Sequence, residues 1–195
     1  MSKGLTRLSR LLLPLVLAGL AIPLHAAETD DQLATLLSGF AAIPALETGF
    51  REERHSELLI GPLIQQGQLR YRAPDFLERR TQHPTPGIWR MEGGLLVVEN
   101  GDQLRVQPMD EVPEAGALAD ALLGLLNGEA ERLARSWQPR MQGQAADRWM
   151  LELAPATDAA RRLGTMQLTG TGTAVMQITT FEPDGSVRKL YLDAP

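Results

Sequence analysis

The sequence predicts an α+β fold built on a mainly antiparallel sheet, and three observations carry that expectation. An apolar helical stripe, Leu33, Leu36, Leu37 and Phe40, comes first. Between Thr48 and Val106, short strand-like segments follow one another across tight turns, too closely for crossover helices. A Leu-rich helical segment then intervenes before four more strand-like segments complete the chain.

The first helix is expected to start at a capping box, Thr29 with Gln32, with Asp30 and Asp31 facing the positive end of its dipole, and to end by Pro44. Phe50 to Ile60 is a charge-rich strand segment. Gly67 to Tyr71 alternates, with Leu69 and Tyr71 on one face and Gln68, Arg70 and Arg72 on the other. Pro74 interrupts before Phe76 to Gln82. Pro84, Pro86 and Gly87 turn the chain into Ile88 to Met91, and Gly93-Gly94 turns it into Leu95 to Glu99. Asn100-Gly101-Asp102 is a hairpin signal leading into Gln103 to Gln107. Beyond the loop from Pro108 to Gly116, Leu118, Leu122, Leu125 and Leu126 share one helical face, and Asn127-Gly128 stops that helix. Glu129 to Arg135 suits a short third helix. Strands resume at Arg148 to Leu153, Thr165 to Thr169, Ala174 to Phe181 and Val187 to Asp193, the last two joined at Pro183-Asp184-Gly185. The expectation is about nine strands and two or three helices.

Residues 1–26 read as a cleaved secretory signal peptide: Lys3, Arg7 and Arg10 precede the apolar run Leu11 to Leu24, and Ala26 and Ala27 mark the cleavage point. That run is 14 residues long, short of the ~20 that span a bilayer as a helix. Residues 27–195 then form one domain in the periplasm. Removing the leader leaves 16 basic residues against 24 acidic, a net charge of −8. That sign does not draw the chain to nucleic acid. There is no cysteine, hence no disulfide, no thiolate metal site and no acylated N-terminal cysteine.

Little in the chain points to covalent chemistry, and no catalytic residue, metal site or cofactor is expected. His55 and His83 lie 28 positions apart without ligand-like partners, and no nucleophile elbow, phosphate loop or H-E-x-x-H helix occurs. The carboxylates Glu52, Glu53 and Glu78 sit among arginines and read as a solvated ion-pair lattice. Trp89, Trp137 and Trp149 suit a core or a ligand wall. A one-sheet antiparallel domain has one apolar face to cover. The helices either pack that face solid or, over a curved sheet, enclose an apolar space fit for acyl chains. Periodicity alone favours the solid core.

Several pieces, in order, resemble the LolA family of periplasmic outer-membrane lipoprotein carriers, and more closely its divergent LolA-like relatives. They are the amphipathic helix Leu33 to Phe40, the strand opening Gly49-Phe50, the run Gly67-Gln68-Leu69-Arg70-Tyr71-Arg72-Ala73-Pro74, the strand Phe76-Leu77-Glu78, the turn and strand Gly93 to Val98, the helix Leu118 to Leu126, and Leu151-Glu152-Leu153-Ala154-Pro155. The resemblance implies an incomplete antiparallel β-barrel with two or three helices as a lid over an apolar cavity. It also implies a carrier without enzymatic activity that takes acylated cargo, a lipoprotein or an envelope lipid, from an inner-membrane transporter to an outer-membrane acceptor, as a monomer. By this resemblance the cavity and lid residues are Leu36, Leu37, Phe40, Phe50, Leu69, Tyr71, Leu118, Leu122 and Leu125.

Two departures from the family pattern stand out. Where LolA has an Arg before the strand-ending Pro, latching the lid, this chain has Ala73, with Arg72 one position earlier as the candidate latch. Strand alternation places Arg72 on the opposite face unless the turn bulges. The chain also stops at Pro195, where LolA continues, a difference that fits relatives serving envelope glycolipid or aryl-polyene systems. The rival expectations are a periplasmic sensor or adaptor on the same fold that binds a membrane protein, and an enzyme of unstated chemistry.

Overall fold

The computed structural model describes residues 24–193. Residues 1–23, which hold most of the expected signal peptide, lie outside the described residues. Helix α1 (Leu24–Ala41) already runs through position 29, so the Thr29–Gln32 box does not start it. Ala26, Ala27 and Glu28 are strong helix formers and extend the helix upstream. Gln32 is used elsewhere, its side-chain oxygen accepting from the Ala145 N–H at 3.1 Å.

Eleven strands form one antiparallel sheet. They are β1 (Ala45–His55), β2 (Leu63–Arg72), β3 (Phe76–His83), β4 (Gly87–Glu92), β5 (Leu95–Asn100), β6 (Gln103–Pro108), β7 (Trp137–Gly143), β8 (Arg148–Pro155), β9 (Thr165–Thr171), β10 (Ala174–Phe181) and β11 (Val187–Leu192). Their order across the sheet is β6-β5-β4-β3-β2-β1-β11-β10-β9-β8-β7. Each half is a meander, with tight turns that use positive φ at Gly93 and Gly94 between β4 and β5 and at Gly185 between β10 and β11, and longer links between β1 and β2 and between β8 and β9. The halves join where β1 pairs with β11.

This order has a topological consequence. β6 and β7 are consecutive in sequence but lie at opposite edges, so the segment linking them must cross the sheet. That segment is a 3₁₀ turn (Met109–Glu111) followed by α2 (Pro113–Leu126) and α3 (Ala130–Ser136). The fold is therefore α+β, an open incomplete barrel whose inner face is crossed by helices. Strand β7 and helix α4 (Asp158–Leu163) are elements that no expected segment covered. Pro139 interrupts the strand signal of β7. The sheet tolerates it because β7 is an edge strand, where a missing N–H breaks no central ladder.

Helix α2 is apolar almost all round because it is buried on more than one side. Ala115, Ala117, Ala119 and Ala121 are buried within the helix layer, while Leu118 and Leu122 are half-buried. Gly124 admits α3 closely: a Cβ there would stand 2.9 Å from the Leu133 backbone N. The core lies between helices and sheet. From the strands it takes Leu77, Met91, Leu96, Met141, Leu151, Leu153 and Leu168. Trp137 and Trp149 are buried in it with their indole N–H groups donating to Ala117 O and Gly172 O, both at 2.8 Å. At ~1.5–3 kcal/mol per buried large apolar side chain, this layer is the main stabilising contribution.

Candidate functional site

Solid core does not fill the whole inner face. A cavity of about 660 Å³ remains between α2 and the sheet, within the size range of small-molecule sites. Leu118, Leu122, Leu125 and Leu126 of α2 roof it. Its walls are the alternate, inward-facing residues of the strands. Leu46, Leu69, Tyr71, Leu77 and Trp89 come from one half of the sheet, and Met166, Leu168, Ile178, Leu190 and Leu192 from the other. Along β1 the lining runs from Leu46 to Arg54, on the order of 26 Å at strand rise. The space is long, apolar and open at one side.

At the helix end, Tyr71 ties the sheet to the roof. Its hydroxyl donates to Asn127 Oδ1 at 2.5 Å and lies 3.3 Å from Leu126 O. Asn127 in turn donates to Pro74 O at 2.8 Å. Burial holds the Tyr71 phenol above the ordinary tyrosine range, with Glu129 reinforcing the shift, so the group is a proton donor at neutral pH.

The far end of the cavity is polar. Arg79 donates to both carboxylate oxygens of Glu52, at 2.7 and 3.1 Å, and to Gln65 at 2.8 Å, while its guanidinium stacks 4.5 Å from the Phe50 ring centre. Arg54 bonds Glu182 at 2.7 Å, and Arg188 bonds the same carboxylate. Glu52 is thus buried beneath Arg79. Glu78, on the outer face, is 2% exposed among Arg70, Arg80 and Arg90. These two carboxylates are not in a solvated lattice, as their sequence setting suggested. Cross-strand pairing sets Arg70 and Arg90 beside Glu78, while Arg79 reaches across β2 to Glu52.

The residues expected at the site divide into three groups. Leu69, Tyr71, Leu118, Leu122 and Leu125 line the cavity. Leu36, Leu37 and Phe40 do not; they are core residues on α1, where Phe40 meets Trp149 edge-on at 6.3 Å. Phe50 also stays out of the lining. It faces inward but lies over Gly67, where a Cβ would stand 2.9 Å from its ring, and Arg79 covers it. Arg72 is not placed as a latch. It projects from the outer face, donating to Glu92 at 3.0 Å and stacking 4.6 Å from the Phe76 ring centre. Sequence reasoning overlooked the walls from β9 to β11, although Met166 and Leu168, or Leu190 and Leu192, alternate visibly. Among the described residues no group of three or more His, Asp or Glu gathers as a metal site, and no helix is long and apolar enough to cross a membrane.

A family model described as outer membrane lipoprotein carrier protein LolA-like matches residues 25–194. The chain belongs to the LolA-like family. No curated protein matches it by sequence. Among solved structures, this LolA-like chain is similar to a LolA superfamily protein from Nitrosomonas europaea, at 10% identity and a TM-score of 0.47, over 85% of this chain and 92% of that one. It is also similar to a DUF1329 family protein from Desulfovibrio piger, at 9% identity and a TM-score of 0.44, over 83% and 88%. The lipoprotein LppX of Mycobacterium tuberculosis gives 12% identity and a TM-score of 0.43, over 85% and 95%.

Proposed function

We propose that this LolA-like chain binds the acyl chains of a lipid or lipoprotein in the cavity beneath α2 and carries that cargo across the periplasm, from an inner-membrane donor to an outer-membrane acceptor. The observation that carries the reading is the shape and chemistry of the cavity: about 660 Å³, apolar along its length and polar at its far end. An amphiphile matches that division. At ~0.8 kcal/mol per methylene removed from water, one long acyl chain gains on the order of 10 kcal/mol, enough to hold a lipid without covalent attachment. Tyr71, Leu69, Leu118, Leu122 and Leu125 form the apolar part of the site.

Movement of α2 away from the sheet would widen the space for loading and release, and Tyr71–Asn127 is one of the contacts that oppose this motion, with Trp137–Ala117 another. A ligand that fills the space beneath α2 favours the raised position by its differential affinity for it. No bond is made or broken, so the role is transport rather than catalysis.

The test is binding of a fluorescent fatty acid to the wild-type protein and to Leu122→Glu. Wild type is expected to take up the probe at about one molecule per chain. The variant loses uptake with its far-ultraviolet circular dichroism intact, because a carboxylate in the roof must be desolvated by an incoming acyl chain. Equal uptake by both proteins would reject α2 as the roof of the site.

A further inference from the structure

The hairpin tip between β1 and β2 contributes nothing to the core and reaches the cavity only through Leu63, yet it carries the two most exposed large apolar side chains among the described residues. Leu58 is 93% exposed and Ile60 is fully exposed, and Leu59, Leu63 and Ile64 are each 40% or more exposed. From Leu58 to Leu69 there is no charged residue. Water-facing apolar clusters of this kind mark interaction surfaces.

We infer that this loop is a membrane-contacting tip that inserts into the interfacial region of a lipid bilayer and sets the polar end of the cavity against it. Three features select a bilayer over a protein partner. First, the apolar surface is a projecting tip of five side chains. A stable protein interface takes roughly 20–30 residues from each side, whereas a bilayer interface accepts a single apolar protrusion. Second, the flanking strands are paired along most of their length, β1 with β2 and β11, and β2 with β3 from Gln66 onward, so only residues 63–65 have an open edge, a short run for strand addition by another chain. Within the turn, Leu59 N–H bonds Ser56 O at 3.1 Å and Leu58 N–H bonds Ser56 Oγ at 3.3 Å, which lowers the cost of taking the backbone out of water. Third, the tip continues the cavity wall: Leu63 belongs to both, and it pairs with Arg54, which lines the polar end. An acyl chain entering there would pass from the bilayer along Leu63 without crossing water.

The inference gives the proposed carrier its loading surface, and so rests on that reading for its purpose, while its own observable is independent of cargo. Insertion is driven by apolar contact, because the tip lacks basic residues and the chain is acidic overall. The experiment is flotation of the protein with vesicles of pure phosphatidylcholine and of phosphatidylethanolamine with phosphatidylglycerol, at low and high salt. Wild type is expected to float with both compositions, with little salt dependence. Leu58→Glu/Ile60→Glu should lower the vesicle-bound fraction about a hundredfold, with thermal stability unchanged because both side chains are exposed. Leu104→Glu/Val106→Glu, which alters the exposed apolar pair on β6, should float like wild type. Wild type failing to float, equal flotation of the tip variant, or loss of binding on adding salt would overturn the inference. So would concentration-dependent dimerisation that only the tip variant abolishes, which would make the occupant a second copy. Fatty-acid probe uptake is measured alongside. Uptake retained by the tip variant, with slower transfer from vesicles, is the expected pattern. Absent uptake with intact flotation would reject the carrier reading and leave the tip standing.

Discussion

Tyr71 is the residue on which sheet and roof depend together. Its aromatic body lines the cavity while its hydroxyl reaches the end of α2. Replacing it with Phe keeps the wall and deletes the tie. The expected loss is about 1–2 kcal/mol, read as a lower melting temperature, together with faster release of bound probe. The tie also has a pH signature. The folded phenol titrates above the ordinary 10.0, so the unfolded chain gives up its proton first. The contribution is therefore complete below about pH 10 and is lost as pH rises toward the folded value. Thermal melts across that range should show an alkaline decline in wild type that Tyr71→Phe reduces. A parallel decline in both would assign it to other groups. Strand alternation alone put Arg72 on the outer face, and Glu92 receives it there. That Tyr71 makes the tie was not legible, because it depends on where α2 comes to rest.

At the scale of elements, α2 is held by the way its C-terminal end meets α1. Gly128 has φ +71, and a Cβ there would stand 2.5 Å from Leu37 O and 2.8 Å from Ala41 Cβ. Gly128→Ala therefore combines a strained backbone with a clash against α1. It should cost about 2 kcal/mol and lower the melting temperature by about 4–8 °C; an unchanged melt would show that α1 yields freely. The stop at Asn127-Gly128 was readable from residue chemistry, as were the Gly93-Gly94 and Asn100-Gly101 turns, because local backbone demands decide them. Two elements were not. β7 contains Pro139, which local rules set against a strand, and only its edge position makes it acceptable. Helix α4 spans six residues, too few to show a helical stripe, though Thr157 caps it by accepting from Ala160 N–H at 3.2 Å.

For the whole molecule, the decisive relation is between strand order and the helical crossing. The sequence carried the two meanders and the Leu-rich segment, but not that β6 and β7 would end at opposite edges. That arrangement sends α2 across the inner face and turns the uncovered sheet residues into cavity walls. It also explains why Leu36, Leu37 and Phe40, apolar and periodic as they are, became core: α1 packs with α2 and β7. Periodicity identifies an apolar face but does not say whether a protein side chain or a ligand will cover it. The central claim is that an acyl chain covers this one. Native mass spectrometry of the protein purified from its own host without detergent, followed by lipid extraction, tests it most directly. The account predicts a bound acylated species of defined mass that Leu122→Glu fails to retain. A bare mass for wild type, with no adduct on adding lipid or lipopeptide, would contradict it and favour an adaptor that binds a membrane protein instead.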